Sequence, residues 1–179
     1  MMKHMSLAEI ATACGGTYVG DDSLKTVEVN GVVIDSRKVE PGYLFVAVKG
    51  ERVDGHTFIP SVFAKGAACV LCEDAPEQPA EPYIQVSSTL EAIKAIAACY
   101  RSTLTIPVVG ISGSVGKTST KEMIASILGQ HFHVLKTEGN FNNEIGLPLT
   151  IFRIREEHEA AVLEMGISDF GEMTTLASM

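Results

Sequence analysis

One segment limits the choice of fold more than any other: the apolar run Val108-Val109-Gly110-Ile111, then Ser112-Gly113-Ser114-Val115-Gly116, then Lys117-Thr118-Ser119 at the head of a stretch reaching Leu128. A glycine-rich turn joining a strand to a helix predicts a parallel sheet with ligand chemistry at the carboxyl ends of its strands. Gly113 and Gly116 let successive amides turn inward around an anion, and the helix N-terminus adds partial positive charge. Lys117 can reach β- and γ-phosphates, and the Thr118 hydroxyl can ligate Mg²⁺. The cofactor-binding candidates are therefore Gly113, Ser114, Val115, Gly116, Lys117, Thr118 and Ser119, with ATP as the expected ligand. The general pattern has glycine five positions before Gly116, where this chain has Ile111, so the match is to the shorter form G-x-x-G-K-T. The competing reading is a glycine turn beside a solvated lysine.

The alternation continues downstream. The pattern predicts a helix over about 117–128, a strand at 134–136, a short crossover helix around Gly146, Pro148 and Thr150, and a third strand over 160–165. Glu164 ends that strand, and an acid there faces the crevice where ligands of parallel sheets bind. Lys117 and Glu164 are the catalytic candidates, and Thr118 and Glu164 the metal candidates. Thr137 to Glu144 forms a second polar loop, in which Asn142 and Asn143 are substrate candidates; the competing reading is a helix cap by Asn142 with an acidic first turn. Another helix begins after Gly171-Glu172, and Met179 follows when only three strands have been laid down. A chain cut short is the expectation, with an unfinished sheet edge open to self-association.

The first half is organised differently. Ser6 with Glu9 makes a capping box for a first helix, and Gly15-Gly16 ends it. Strands are predicted at 27–34, 43–48, 68–71 and 83–86, and a helix around Phe58, Ile59, Val62 and Phe63. Ser88 with Glu91 opens a helix in which Leu90, Ile93, Ala97 and Tyr100 share a face, and which bridges two domains. Fourteen Lys and Arg against 22 Asp and Glu give a net charge of −8, which repels nucleic acid. No uncharged apolar run approaches the roughly 20 residues of a membrane span, and residues 1–10 lack the apolar core of a signal peptide. Cytoplasmic location, no nucleic-acid partner and no stable membrane insertion are expected. Cys14, Cys69, Cys72 and Cys99 form no disulfide framework. Cys69 and Cys72 lie in an apolar run and read as core. His131 and His133 read as surface residues, and 156–159 as a solvated turn.

These motifs together resemble the Mur ligase family over essentially the whole chain. The resemblance is carried by Asp35-Ser36-Arg37, Pro41 to Ala47, Gly50 and Asp54-Gly55-His56 in the first half. In the second half it rests on Gly113 to Thr118, Gly139 to Thr150 and Leu163-Glu164-Met165-Gly166. It implies a small α/β uridine-nucleotide-binding N-terminal domain over 1–85, followed by the first part of a P-loop parallel-sheet ATPase domain over 86–179. It further implies an ATP- and Mg²⁺-dependent amide-bond ligase of peptidoglycan precursor synthesis. The loop at 139–150 favours the member that joins D-Ala-D-Ala to UDP-MurNAc-tripeptide through an acyl phosphate, over the sister that adds the third amino acid. Ser36, Arg37, Glu51 and Arg52 align with the segments that cradle the uridine diphosphate, and the planar fork of Arg suits that anion. By the same resemblance the 179 residues alone are catalytically incompetent while keeping some uridine-nucleotide binding. A P-loop kinase or NTPase of a small metabolite, and a non-catalytic nucleotide-binding module, remain as alternatives.

Overall fold

Ser6 Oγ accepts from the Glu9 amide while Glu9 Oε2 accepts from the Ser6 amide, and this reciprocal cap starts α1, Leu7–Ala13. The helix buries Leu7, Ile10 and Ala11. The computed structural model describes residues 2, 5–50, 53–76 and 81–179. They separate into two compact units, Met1–Ile96 and Ala97–Met179.

In the first unit, β1 (Thr17–Val19), β2 (Gly31–Val33), β3 (Tyr43–Val46), β4 (Cys69–Cys72) and β5 (Tyr83–Gln85) form one sheet in the order β1-β5-β4-β3-β2. Only the β1–β5 pair is antiparallel. The helix α2, Ile59–Ala64, connects β3 to β4 and buries Ile59 and Val62. Leu44, Phe45 and Val46 are wholly buried, as a strand flanked on both faces requires. All four residues of β4 are buried as well, and Cys69 and Cys72, three apart, lie on opposite faces of the strand. One metal ion cannot take both sulfurs, and burial pushes both thiols up, Cys72 to about 11.

Three elements differ from the sequence expectation, the first being β1, a strand where none is expected. The strand expected over 27–34 contracts to Gly31–Val33, because the chain before it turns to the N-terminal segment: Leu7 N donates to Val27 O at 3.0 Å and Val29 N to Met5 O at 3.1 Å. The helix α3, Thr89–Thr103, buries Ile93, Ile96, Ala97 and Tyr100, while Leu90 is exposed. The buried set follows the 3.6-residue period from Ile93 onward, and Leu90, at the edge of that face in the first turn, is left in solvent. The division between the two compact units lies within this helix, after Ile96.

The second unit carries β6 (Val108–Ile111), α4 (Lys117–Leu128), β7 (Val134–Lys136), α5 (Gly146–Ile151), β8 (Ala160–Glu164) and α6 (Glu172–Ala177). Its sheet is parallel, in the order β6-β8-β7. β8 is thus central and buried along its whole length. The Tyr100 hydroxyl donates to Ile154 O at 2.6 Å and anchors the last turns of α3 to this unit. His131 and His133 are exposed.

Within the first unit, one histidine acts as a clamp. His56 Nε2 accepts from the amides of Glu73 and Asp74, at 3.0 and 3.3 Å, which assigns the ring proton to Nδ1. Nδ1 donates to Asp54 Oδ1 at 2.6 Å. The ring therefore ties the turn before α2 to the chain leaving β4. Glu73 Oε1 in turn accepts from Thr89 N and Oγ1, holding the start of α3. Replacing His56 by Ala leaves two amides without an acceptor and is expected to lower stability by about 1–3 kcal/mol. Urea denaturation with an unchanged m-value checks this, and an unchanged midpoint would show that the clamp carries no load.

Candidate nucleotide site

The register of the second sheet sets the geometry. Ile111, the last residue of β6, is paired with Glu164, the last of β8, so the glycine loop and the carboxylate leave the sheet side by side. Gly113 and Gly116 have φ of +145° and +78°, values that L side chains rarely adopt. Gly116 reverses the chain into α4, whose first residue is Lys117. The loop is exposed from Ser112 to Gly116, and Val115 stands 90% exposed. Among the described residues, the amides of 113–119 have no hydrogen-bond acceptor. Lys117 Nζ donates to Gly113 O at 2.8 Å and so lies across the loop it follows. A cleft of about 560 Å³ opens there, bounded on one side by Gly113, Ser114 and Lys117 and on the other by Ile167 to Phe170. Unpaired amides, a helix N-terminus and a lysine at one cleft are the groups from which an anion site can be built.

Glu164 is 3% exposed. Its Oε1 accepts from Asn142 Nδ2 at 2.9 Å and from Thr118 Oγ1 at 3.3 Å. Its Oε2 is buried with no hydrogen-bond partner, and Lys121 Nζ stands 3.6 Å from it. The backbone beneath is fixed too. Glu164 N donates to the buried Thr137 Oγ1 at 2.9 Å, and Met165 N to Ile111 O at 2.8 Å. A threonine hydroxyl next to a buried carboxylate, one oxygen of which has an ammonium neighbour but no hydrogen-bond partner, fits Mg²⁺, a hard cation that takes oxygen ligands. Thr118 and Glu164 would hold it.

The two asparagines of the second loop divide their tasks. Asn142 meets Glu164 through its side chain and accepts from Gly166 N at 2.8 Å through its carbonyl. Asn143 Oδ1 accepts from the amides of Ile145 and Gly146, at 3.2 and 2.8 Å, and caps the start of α5. The cap expected at Asn142 thus belongs to Asn143. Lys121, one helical turn beyond Lys117, was not singled out by sequence reasoning. Its spacing of four from Lys117 was the available signal, because it puts both ammonium groups on one face of α4.

The first unit places Ser36 and Arg37 in a short 3₁₀ turn begun by Asp35, whose side chain accepts from the Arg37 amide at 3.0 Å. Arg37 Nε and one terminal nitrogen also donate to Asp35, at 2.9 and 2.8 Å. The fork expected to grip a diphosphate is therefore engaged by its own chain. That pairing holds the Asp35 carboxyl down to about 2. Ser36 O accepts from Lys65 Nζ at 2.6 Å. Glu51 and Arg52 lie outside the described residues.

Comparison with known proteins agrees with both halves. Residues 28–101 match the model described as Mur ligase family, catalytic domain, and residues 111–179 the model of the Mur ligase middle domain. The UDP-N-acetylmuramoyl-tripeptide–D-alanyl-D-alanine ligase of Bacillus subtilis is 43% identical over 97% of this chain and 38% of that protein. A crystal structure of MurF from Acinetobacter baumannii superposes with a TM-score of 0.87 at 33% identity, covering 97% of this chain and 38% of that one. MurF ligase from Thermotoga maritima in complex with ADP gives 0.74 at 37% identity, covering 82% of this chain and 34% of that one. The chain thus spans well under half the length of these relatives. Two domain models covering most of its residues, and similarity to one kind of ligase along nearly all of it, establish that the chain belongs to the Mur ligase family.

Proposed function

We propose that this chain forms the uridine-substrate and nucleotide-binding parts of an enzyme that joins D-Ala-D-Ala to UDP-MurNAc-tripeptide at the expense of ATP. The observation that carries the reading is the meeting of Thr118 and Glu164, 3.3 Å apart, at the mouth of a loop whose amides lack acceptors. Similarity to enzymes named for that reaction, over nearly all of the chain, supports it. In this reading the amides of 113–118 and Lys117 hold the ATP phosphates. A terminal carboxylate oxygen of the tripeptide attacks the γ-phosphorus, and ADP leaves with the electrons of the broken P–O bond. The amine of D-Ala-D-Ala then attacks the acyl carbon and loses a proton as phosphate departs. Mg²⁺, when bound by Thr118 and Glu164, offsets phosphate charge.

Lys117 is held at the loop by Gly113 O, so it is in place for a phosphate oxygen with little reorganisation. Asn142 and Asn143 serve the site through Glu164 and through α5. Residues 1–85 bind the uridine nucleotide and 86–179 supply the ATP site, with Ser36, Arg37, Glu51 and Arg52 on the uridine side. For Arg37 this requires an exchange of Asp35 for the diphosphate. A cytoplasmic location follows from soluble nucleotide substrates, and self-association would use the outer edges of β6 and β7.

Calorimetry with UDP and with Mg·ADP, each titrated alone into the chain, tests the assignment. Both are expected to bind, and Lys117→Met is expected to weaken ADP roughly 10–100-fold, the worth of one charge-assisted hydrogen bond, without changing UDP. Binding of ADP with no response to UDP would favour a small-molecule kinase. The Arg37 exchange has its own readout in ¹³C NMR of the Asp35 carboxyl. Its midpoint, about 2 in the free chain, is expected to rise toward the ordinary 3.8 on saturation with UDP, since the arginine that depresses it has left. In Arg37→Ala the midpoint starts higher than in the wild type, with only the amide of residue 37 still lowering it, and no longer responds.

A further inference from the structure

The nucleotide-site reading leaves one buried charge without a task. Lys121 is 1% exposed, its ammonium lies 3.6 Å from the Oε2 of Glu164 that has no hydrogen-bond partner, and 3.3 Å from Glu122 Oε1. Glu122 is itself shared, because its other oxygen meets Lys136. Within the site, then, the Glu164 carboxylate is matched by the Lys121 ammonium, and Lys117 adds a second positive charge at the loop. A divalent cation approaching Thr118 and Glu164 without phosphates would meet one compensated carboxylate and two ammonium groups.

Resting on that reading, we infer that Lys121 is a positioning residue that makes metal binding at Thr118 and Glu164 depend on bound nucleotide. Two features of the geometry carry this. Lys121 faces Oε2, while Thr118 and Asn142 face Oε1, so the lysine steadies the carboxylate from the side away from the hydroxyl. Its charge is fixed in a buried place, where attraction and repulsion are screened far less than at the surface. With the phosphates present the sum of charges reverses, and the cation enters as part of the nucleotide complex. Without them, Lys121 occupies electrostatically the place a cation would take.

Electron paramagnetic resonance of Mn²⁺, titrated at pH 8 into the chain with and without ADP, tests the inference. The wild type is expected to take up Mn²⁺ tightly only when ADP is present. Lys121→Met, which keeps the length and removes the charge, is expected to bind Mn²⁺ without ADP at least tenfold more tightly than the wild type. Lys121→Gln keeps a polar N–H group near Glu164 without the charge and is expected to do the same, so the test survives if the methionine variant does not fold. Lys121→Arg is expected to behave as the wild type. Adding Glu164→Gln to either neutral variant should abolish the gain. Neutral variants that bind Mn²⁺ alone no better than the wild type, or that lose it even with ADP, would overturn the inference. A wild type that binds no Mn²⁺ with ADP would instead overturn the nucleotide-site reading beneath it.

Discussion

The second unit is organised around one carboxylate held where water is nearly excluded. Burying an ionised glutamate costs several kcal/mol unless its oxygens find partners, and the three partners of Glu164 come from two separate segments: Thr118 and Lys121, about a turn apart on α4, and Asn142 in the loop after β7. Thr137 then fixes the backbone from which the carboxylate projects. Each of these residues is placed by the parallel sheet, because the carboxyl ends of β6, β7 and β8 all face the same way. The anion-binding loop and the acid are two products of one topology. A strand order that took β8 away from β6 would separate them.

The first unit relies on a smaller device used three times. Asp21, Asp35 and Asp54 each accept a hydrogen bond from the amide two residues on, and each begins a 3₁₀ turn at the end of an extended segment. A short carboxylate satisfies a backbone donor that the sheet no longer serves. At Asp35 and Asp54 the same oxygen also takes a side-chain donor two residues ahead, Arg37 or His56. Local turn chemistry thus sets the orientation of the residues that the family pattern makes conspicuous. Asp54 and His56 build a clamp, whereas Asp35 holds Arg37 in a salt link with the arginine 87% exposed.

What was legible in the sequence was local. The glycine loop, the strand before it, the helix after it and the capping box at Ser6 each depend on residues within a few positions, so spacing and residue type sufficed. Glu164 was legible by its place at a strand end. Lys121 was not, since its partner lies 43 positions away and a lysine in a helix is ordinarily solvated. The exchange of roles between Asn142 and Asn143 was also hidden, because two adjacent asparagines offer the same chemistry and only the path of the loop decides which meets α5. Val27 to Asn30 read as strand from composition, and tertiary pairing with the segment before α1 overrode it.

The central position of β8 has a consequence for how the polypeptide is made. β6 and β7 both emerge from the ribosome before β8, yet neither pairs with the other, so the sheet between them has no middle until residues 160–164 follow. Meanwhile β1 to β5 already hold every strand of the first sheet. Synthesis therefore releases a first unit able to fold at once, trailed by a nascent second unit whose two outer strands must be held apart until their shared neighbour arrives.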